Sequence, residues 1–221
     1  MKIKHFFVMA LLVPLSVLSG DFTIMGGVAQ FNSPHDGIYW NKNQPHDHQM
    51  TPLVFALRYD VKGLIEGYSF GVQYTNFGEV KTDSVAVTKD APEAGGYDPA
   101  TGSCVGACAV TARWKMKSET QSVAFIGTKH FGQWSLEGGL NVFEVKTRGA
   151  VEYQDGSTFN YTPTRYLGVG PMAGVGYRSG NWITKLQLWR MEGRAVSGEG
   201  KSAPAAYKED YQVTVMVGYQ F

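Results

Sequence analysis

The last eleven residues, Tyr211-Gln-Val-Thr-Val-Met-Val-Gly-Tyr-Gln-Phe221, hold a period of two up to a final aromatic. Tyr211, Val213, Val215, Val217, Tyr219 and Phe221 fall on one face. Gln212, Thr214, Met216, Gly218 and Gln220 fall on the other. Alternation of this kind marks a strand with two unlike faces. A sheet in lipid leaves no backbone unpaired only if its last strand closes on its first, so this segment is expected to be the closing strand of a membrane barrel.

Seven further stretches read as strands separated by turn signals: about 21–32, about 51–61, from Gly67, about 109–129, from Trp134, about 164–178 and about 182–196. In the second, Leu53, Phe55, Leu57, Tyr59 and Val61 share one face, and Val54, Ala56, Arg58 and Asp60 the other. The connections at 62–66, 130–133 and 179–181 are short. They alternate strictly with long ones at 33–50, about 91–108, about 150–163 and about 197–206. The reading is all-β: an eight-stranded antiparallel up-and-down transmembrane β-barrel over residues 21–221, with short periplasmic turns and long outer loops. Charged residues are only 18% of the chain, against about 25% in soluble domains. A soluble eight-stranded carrier would bury its apolar face inside; it leaves the loop asymmetry and the terminal aromatic unexplained.

Residues 1–20 read as an export signal, with Lys2 and Lys4 ahead of an apolar run from Phe6 to Leu18 and cleavage after Ser19 or Gly20. Asp21 stands where a lipobox needs Cys, so no lipoprotein is expected. No later run approaches 18 apolar residues, which argues against a helical membrane protein. The net charge of +1 gives no electrostatic case for nucleic acid.

Tyr68, Trp134 and Trp182 each follow a short turn. With Tyr219 and Phe221 they are expected to form an aromatic girdle at the periplasmic rim. Trp114, Tyr166, Trp189 and Tyr211 are expected to form the outer girdle. Pro171 predicts a bulge in the sixth strand, because it cannot donate to a ladder. Trp114 and Met116 sit on even positions and Val123 and Phe125 on odd ones, so a second bulge is expected near 118–121.

Met25-Gly-Gly-Val-Ala-Gln30 and Val217-Gly-Tyr-Gln-Phe221 resemble the opening and closing strands of the small surface barrels of the OmpX/Ail/Lom group, and more loosely the OmpA-type barrel. Met216 departs from that pattern, where Gly is common. The resemblance implies a non-enzymatic surface protein acting in adhesion, host-factor or phage interaction, or envelope stability. A narrow porin-like channel is the alternative, and a lipid-modifying enzyme a third reading. The implied partners are outer-membrane lipids and the barrel-assembly machinery, reached through the C-terminal strand. An extracellular protein or phage is the further candidate, at loops 33–50 and 91–108. The protein is expected to be a monomer in the cell outer membrane, without a cofactor.

If the apolar face meets lipid, Arg58, Asp60, Gln73, Glu137, Asn141, Lys185 and Gln187 point into the lumen. Arg58, Asp60, Glu137 and Lys185 lie close to short turns and are expected to form an ion network in the periplasmic half, as a satisfied plug or as a gate. Gly168, Gly170, Gly174 and Gly176 on the facing strand would leave room for them. His35, His46 and His48, with Asp36 and Asp47, crowd the first outer loop and read as a solvated polar loop or a metal site. No His-x-Ser pair lies on a strand, which argues against a deacylase. Cys104 and Cys108, in an exported chain, are expected to form a disulfide. Residues 78–90 and 109–120 should stand above the membrane as a hairpin, able to bind by strand addition or to act as a shield.

Overall fold

The computed structural model describes residues 20–32, 46–49, 52–62, 64–87, 97–98, 103–104, 110–153, 156–160, 163–197 and 206–221. Eight long strands make the barrel: β1 (Gly20–Asn32), β2 (Leu53–Lys62), β3 (Tyr68–Val87), β4 (Val110–Phe131), β5 (Trp134–Tyr153), β6 (Thr164–Ser179), β7 (Trp182–Ser197) and β8 (Ala206–Gln220). Each pairs antiparallel with its neighbours in the chain, and β8 pairs with β1, so the sheet has no open edge through the wall. Two short segments extend it. His46–Gln49 pairs with Lys81–Ser84 of β3, and Thr158–Asn160 with Ala150–Glu152 of β5.

Burial alternates along the strands with the polarity the sequence implies. On β2, Val54, Ala56, Arg58 and Asp60 are buried while Leu53 and Phe55 are exposed. On β5 the outward residues are Trp134, Leu136, Leu140 and Val142, followed by Glu144 and Lys146. The climb from Trp134 to Glu144, at ~3.3 Å per residue and the usual tilt of about 40°, spans roughly 25 Å, the height of a barrel's apolar band. β3 has 20 residues and β4 has 22, about twice the 9–11 a membrane strand requires, so their paired ends rise above that band.

The closing seam runs from Thr23↔Gln220 to Asn32↔Tyr211, and the Phe221 N–H donates to the Phe22 carbonyl at 2.9 Å. Two register pairs set a methionine opposite a glycine: Met25↔Gly218 and Met216↔Gly27. Both methionines point inward and are fully buried. A Cβ on Gly218 would strike Met25 Cγ, and one on Gly27 would strike the Val215 carbonyl oxygen. Met216, the departure from the usual terminal pattern, therefore fills lumen space that Gly27 leaves open.

Neither expected bulge lies at its expected place. β4 pairs with β5 at a single offset from Ala112↔Tyr153 to Phe131↔Trp134, so β4 has no bulge near 118–121. The extra residue lies across the ladder, in β3, where the register with β4 shifts between Asn76 and Glu79. Gly78 has φ 78°, and its N–H donates to Asn76 Oδ1 at 2.9 Å, a local turn that lets the strand add a residue. Inward positions are Ser69, Gln73, Thr75 and Phe77 below the bulge, then Val80, which packs on the core; Glu79 and Lys81 are turned outward.

Pro171 carries no bulge either. The β6–β7 register is the same at Gly168↔Gly193 and at Met172↔Trp189, with the pairing simply interrupted between them. The Asn141 side-chain amide donates to the Gly170 carbonyl at 2.8 Å beside that gap. The neighbouring irregularity falls between β7 and β8, at Trp189/Met191.

The seam yields a direct prediction. Gly27→Val should abolish the compact, heat-modifiable band on a cold gel. Gly26→Val should keep it, because a Cβ at Gly26 meets only the Val54 carbonyl, at 3.9 Å.

Candidate functional site: the filled lumen and the outer rim

Near the periplasmic end, three strands bring Arg58, Asp60, Glu137 and Lys185 together: β2 supplies the first two, β5 Glu137 and β7 Lys185. The Arg58 guanidinium donates to both Asp60 carboxylate oxygens at 2.7 Å, to Glu137 Oε1 at 2.7 Å and to Thr128 Oγ1 at 2.6 Å. Lys185 Nζ donates to the same Glu137 Oε1 at 2.5 Å. Gln187 Nε2 donates to the second Glu137 oxygen at 2.7 Å, and Gln187 and Gln73 exchange amide bonds at 3.0 and 3.2 Å. Two cations face two carboxylates, and every carboxylate oxygen has a donor. Burial of such charges is tolerable only under these conditions.

The glycines of β6 open space for part of this group. A Cβ at Gly174 would lie 3.0 Å from Gln187 Cγ and 3.4 Å from Glu137 Oε2, and one at Gly176 would lie 2.5 Å from Ser135 Oγ. Gly168 and Gly170 serve differently: a Cβ there would strike β7 backbone, at the Glu192 and Arg190 carbonyl oxygens.

Above the ion cluster the lumen is filled by a layer that sequence reading put on the wrong side of the wall. Trp189 and Tyr166, expected in the outer girdle, are 0% exposed and point inward. Trp189 Nε1 donates to Thr214 Oγ1 at 3.1 Å, and its ring meets Phe77 edge-on at 5.3 Å between centroids. Phe143, Val145, Met172 and Met191 complete the plug. Trp189 shares the odd parity of Lys185 and Gln187, so alternation could have placed it inside. Phe77 likewise shares the odd parity of Gln73 and Thr75; only Val80, on the far side of the bulge, needs the register to be placed. The side chains of Trp114 and Tyr211, the other two expected girdle residues, lie outside the described residues.

Below the ion cluster is a small blind vestibule of about 40 Å³, lined by Arg58, Asp60, Ser69, His130, Glu137 and Lys185 among others. That is room for about three water molecules, far less than the ~300 Å³ of an ordinary ligand pocket. The sequence put His130 in a turn; it lies at the end of β4, with Nε2 2.9 Å from Ser69 Oγ.

The periplasmic rim carries aromatic contacts. Trp134 packs on Tyr177 (5.0 Å between centroids), Trp182 on Tyr219 (5.5 Å) and Tyr219 on Phe221 (5.0 Å), and Lys129 Nζ sits 5.0 Å over the Tyr68 ring. Tyr177 Oη donates to Gln133 at 3.0 Å and Tyr219 Oη accepts from Asn181 at 3.0 Å, so polar tips face the headgroups while the rings meet lipid.

On the outer side, charges replace apolar residues on the same outward face. Arg148 bridges Glu79 (3.0 Å) and Glu119 (2.9 Å), and Lys81 and Lys117 also reach Glu79, at 3.6 and 3.5 Å. Glu144 holds Lys146 at 3.2 Å and Arg165. At Glu79 slight burial raises the carboxyl's pKa. The Arg148 hydrogen bond and the charges of Lys117 and Lys81 outweigh it, and the group stays below the usual glutamate range.

His35, Cys108 and the tip of loop 91–108 lie outside the described residues, as do residues 1–19 of the expected export signal. His46, His48 and Cys104 are placed by backbone only, the last within a two-residue ladder of Tyr97–Asp98 with Ser103–Cys104.

No family model matches the chain, and no curated protein matches it. Solved structures do. Ail, the attachment invasion locus protein of Yersinia pestis, crystallised with the heparin analogue sucrose octasulfate, superposes with a TM-score of 0.51 at 12% identity, covering 92% of this chain and 100% of that one. OprG from Pseudomonas aeruginosa gives 0.47 at 12% identity (92% and 97% covered), and a major outer membrane protein from Thermus thermophilus gives 0.43 at 12% (92% and 100%). With a closed wall, an apolar outer face and an aromatic rim, the chain is an outer-membrane β-barrel of the small eight-stranded type.

The lumen predicts a sharp contrast in stability. Glu137→Ala strands Lys185 and leaves Arg58 with Asp60 as its one carboxylate, and should cost about 3–5 kcal/mol in urea unfolding from lipid vesicles. Glu144→Ala, which breaks only exposed pairs, should cost about 0–1 kcal/mol.

Proposed function

We propose that this protein is a non-enzymatic surface module: the barrel is a sealed anchor, and its work is done by what the long outer strands and loops present outside the cell. The observation that carries the reading is the elongated β3–β4 hairpin. It pairs as far as Val87↔Val110, well above the apolar band. It is widened by His46–Gln49 on one side and, through β5, by Thr158–Asn160 on the other. A raised sheet of this kind offers backbone and side chains to a macromolecular partner. Adhesion to a host surface or matrix, or capture by a phage, is the activity such a platform suits, and envelope stability is the variant in which it acts as a shield. Ail, which shares the fold, is described as an attachment protein, which supports the same direction.

The filled lumen supports an anchor over a channel: an ion cluster of buried side chains and, above it, the buried Trp189–Phe77 layer both occupy the interior. The small vestibule has no room for an enzyme's substrate. Export through an N-terminal signal in residues 1–20, insertion by the assembly machinery through β8, a Cys104–Cys108 disulfide at the hairpin tip and a monomeric state belong to the same proposal.

Deleting residues 91–108 should remove the tip while leaving the barrel's heat-dependent gel shift intact. Adhesion of expressing cells to host matrix, or phage adsorption, should fall to the level of cells lacking the protein. Unchanged adhesion and adsorption with the barrel intact would reject the platform.

A further inference from the structure

We propose that the outward face of β3–β6 just above the apolar band is a binding surface for phosphorylated lipid headgroups. Three observations meet there. The first is continuity. On β5 the outward face runs Leu140, Val142, Glu144, Lys146, Arg148, and on β6 it runs Val169, Leu167, Arg165 toward the outside. A molecule seated on these cations has its apolar part against the lipid-facing wall, so the surface fits an amphiphile.

The second is charge. Five cations (Lys81, Lys117, Lys146, Arg148 and Arg165) stand with three carboxylates (Glu79, Glu119 and Glu144), an excess of two positive charges on one patch. The third is layering. The side chains of Glu79 and Glu144 are 27% and 19% exposed, while their cationic partners are 47–59% exposed. Two of the three carboxylates lie beneath, holding long cationic side chains that still present free N–H donors. A planar guanidinium and ammonium groups at the headgroup level recognise phosphate by charge-assisted hydrogen bonds.

The bulge at Phe77–Gly78 is part of the device. If the same sequence ran through Phe77–Gly78 as a regular strand, Glu79 and Lys81 would continue the inward series of Gln73, Thr75 and Phe77, and the patch would lose its shared carboxylate.

The test is native mass spectrometry of the full-length barrel in an uncharged maltoside detergent, with dioleoyl phosphatidic acid and dioleoyl phosphatidylcholine as probes. The wild type should retain phosphatidic acid preferentially, and inorganic phosphate at equal concentration should not displace it. The triple variant Lys117→Gln, Arg148→Gln, Arg165→Gln should lose at least about tenfold of that preference while keeping its gel shift. If the triple variant does not fold, the pair Lys81→Gln, Lys146→Gln, which leaves Glu79 and Glu144 an arginine each, should lose a smaller part of it. Equal retention of both lipids by the wild type, an undiminished preference in the folded variants, or displacement by inorganic phosphate would overturn the assignment.

Discussion

Everything in this molecule depends on the backbone ladder between β8 and β1. Within lipid no water can satisfy an unpaired peptide group, so the strands persist only as a closed ring. Closure puts the apolar side chains outside and encloses the polar ones in a narrow tube. The Met–Gly pairs at the seam show how close that fit is, for two strands approach until no Cβ is tolerated opposite the methionines. Once the ring is closed, the lumen must satisfy its own charges. Arg58, Asp60, Glu137 and Lys185, tied by Thr128 and Gln187, meet that condition with a neutral cluster.

The second organising element is local. One extra residue in β3 changes which side of the sheet the strand's upper half presents. Below it, Phe77 enters the lumen and completes the aromatic layer with Trp189. Above it, Val80 continues the core while Glu79 faces out and collects three cations. The bulge thus lets Val80 stay in the core while Glu79 turns out to the charged collar, linking an interior packing requirement to the outer surface.

Much of this was legible in the sequence, for a physical reason. Strand period, turn spacing and the alternation of short and long connections are local, and they were enough to find all eight strands and the inward face of β2, β5 and β7. The polar lumen residues followed from parity alone. Register was not legible. The phase change near Trp114 and Met116 suggests a bulge in β4, but β4 keeps one register with β5 and the extra residue belongs to β3, where Asn76-Phe77-Gly78 supplies the turn chemistry. Pro171 suggested a bulge, yet the closed ladder absorbs the missing donor with an interruption and no shift. Trp189 and Tyr166 were placed outside because aromatics favour the membrane rim. In a tube this narrow, interior volume also has to be filled, and they fill it.

Single-channel recording of the purified protein in planar bilayers tests most directly whether the barrel is a sealed anchor whose outer strands carry the function. The neutral ion cluster and the aromatic layer above it predict a flat baseline with no discrete openings across the applied voltage range. Reproducible unit openings that disappear with Trp189→Ala or shift with Glu137→Gln would show that the lumen conducts, and would contradict the sealed anchor.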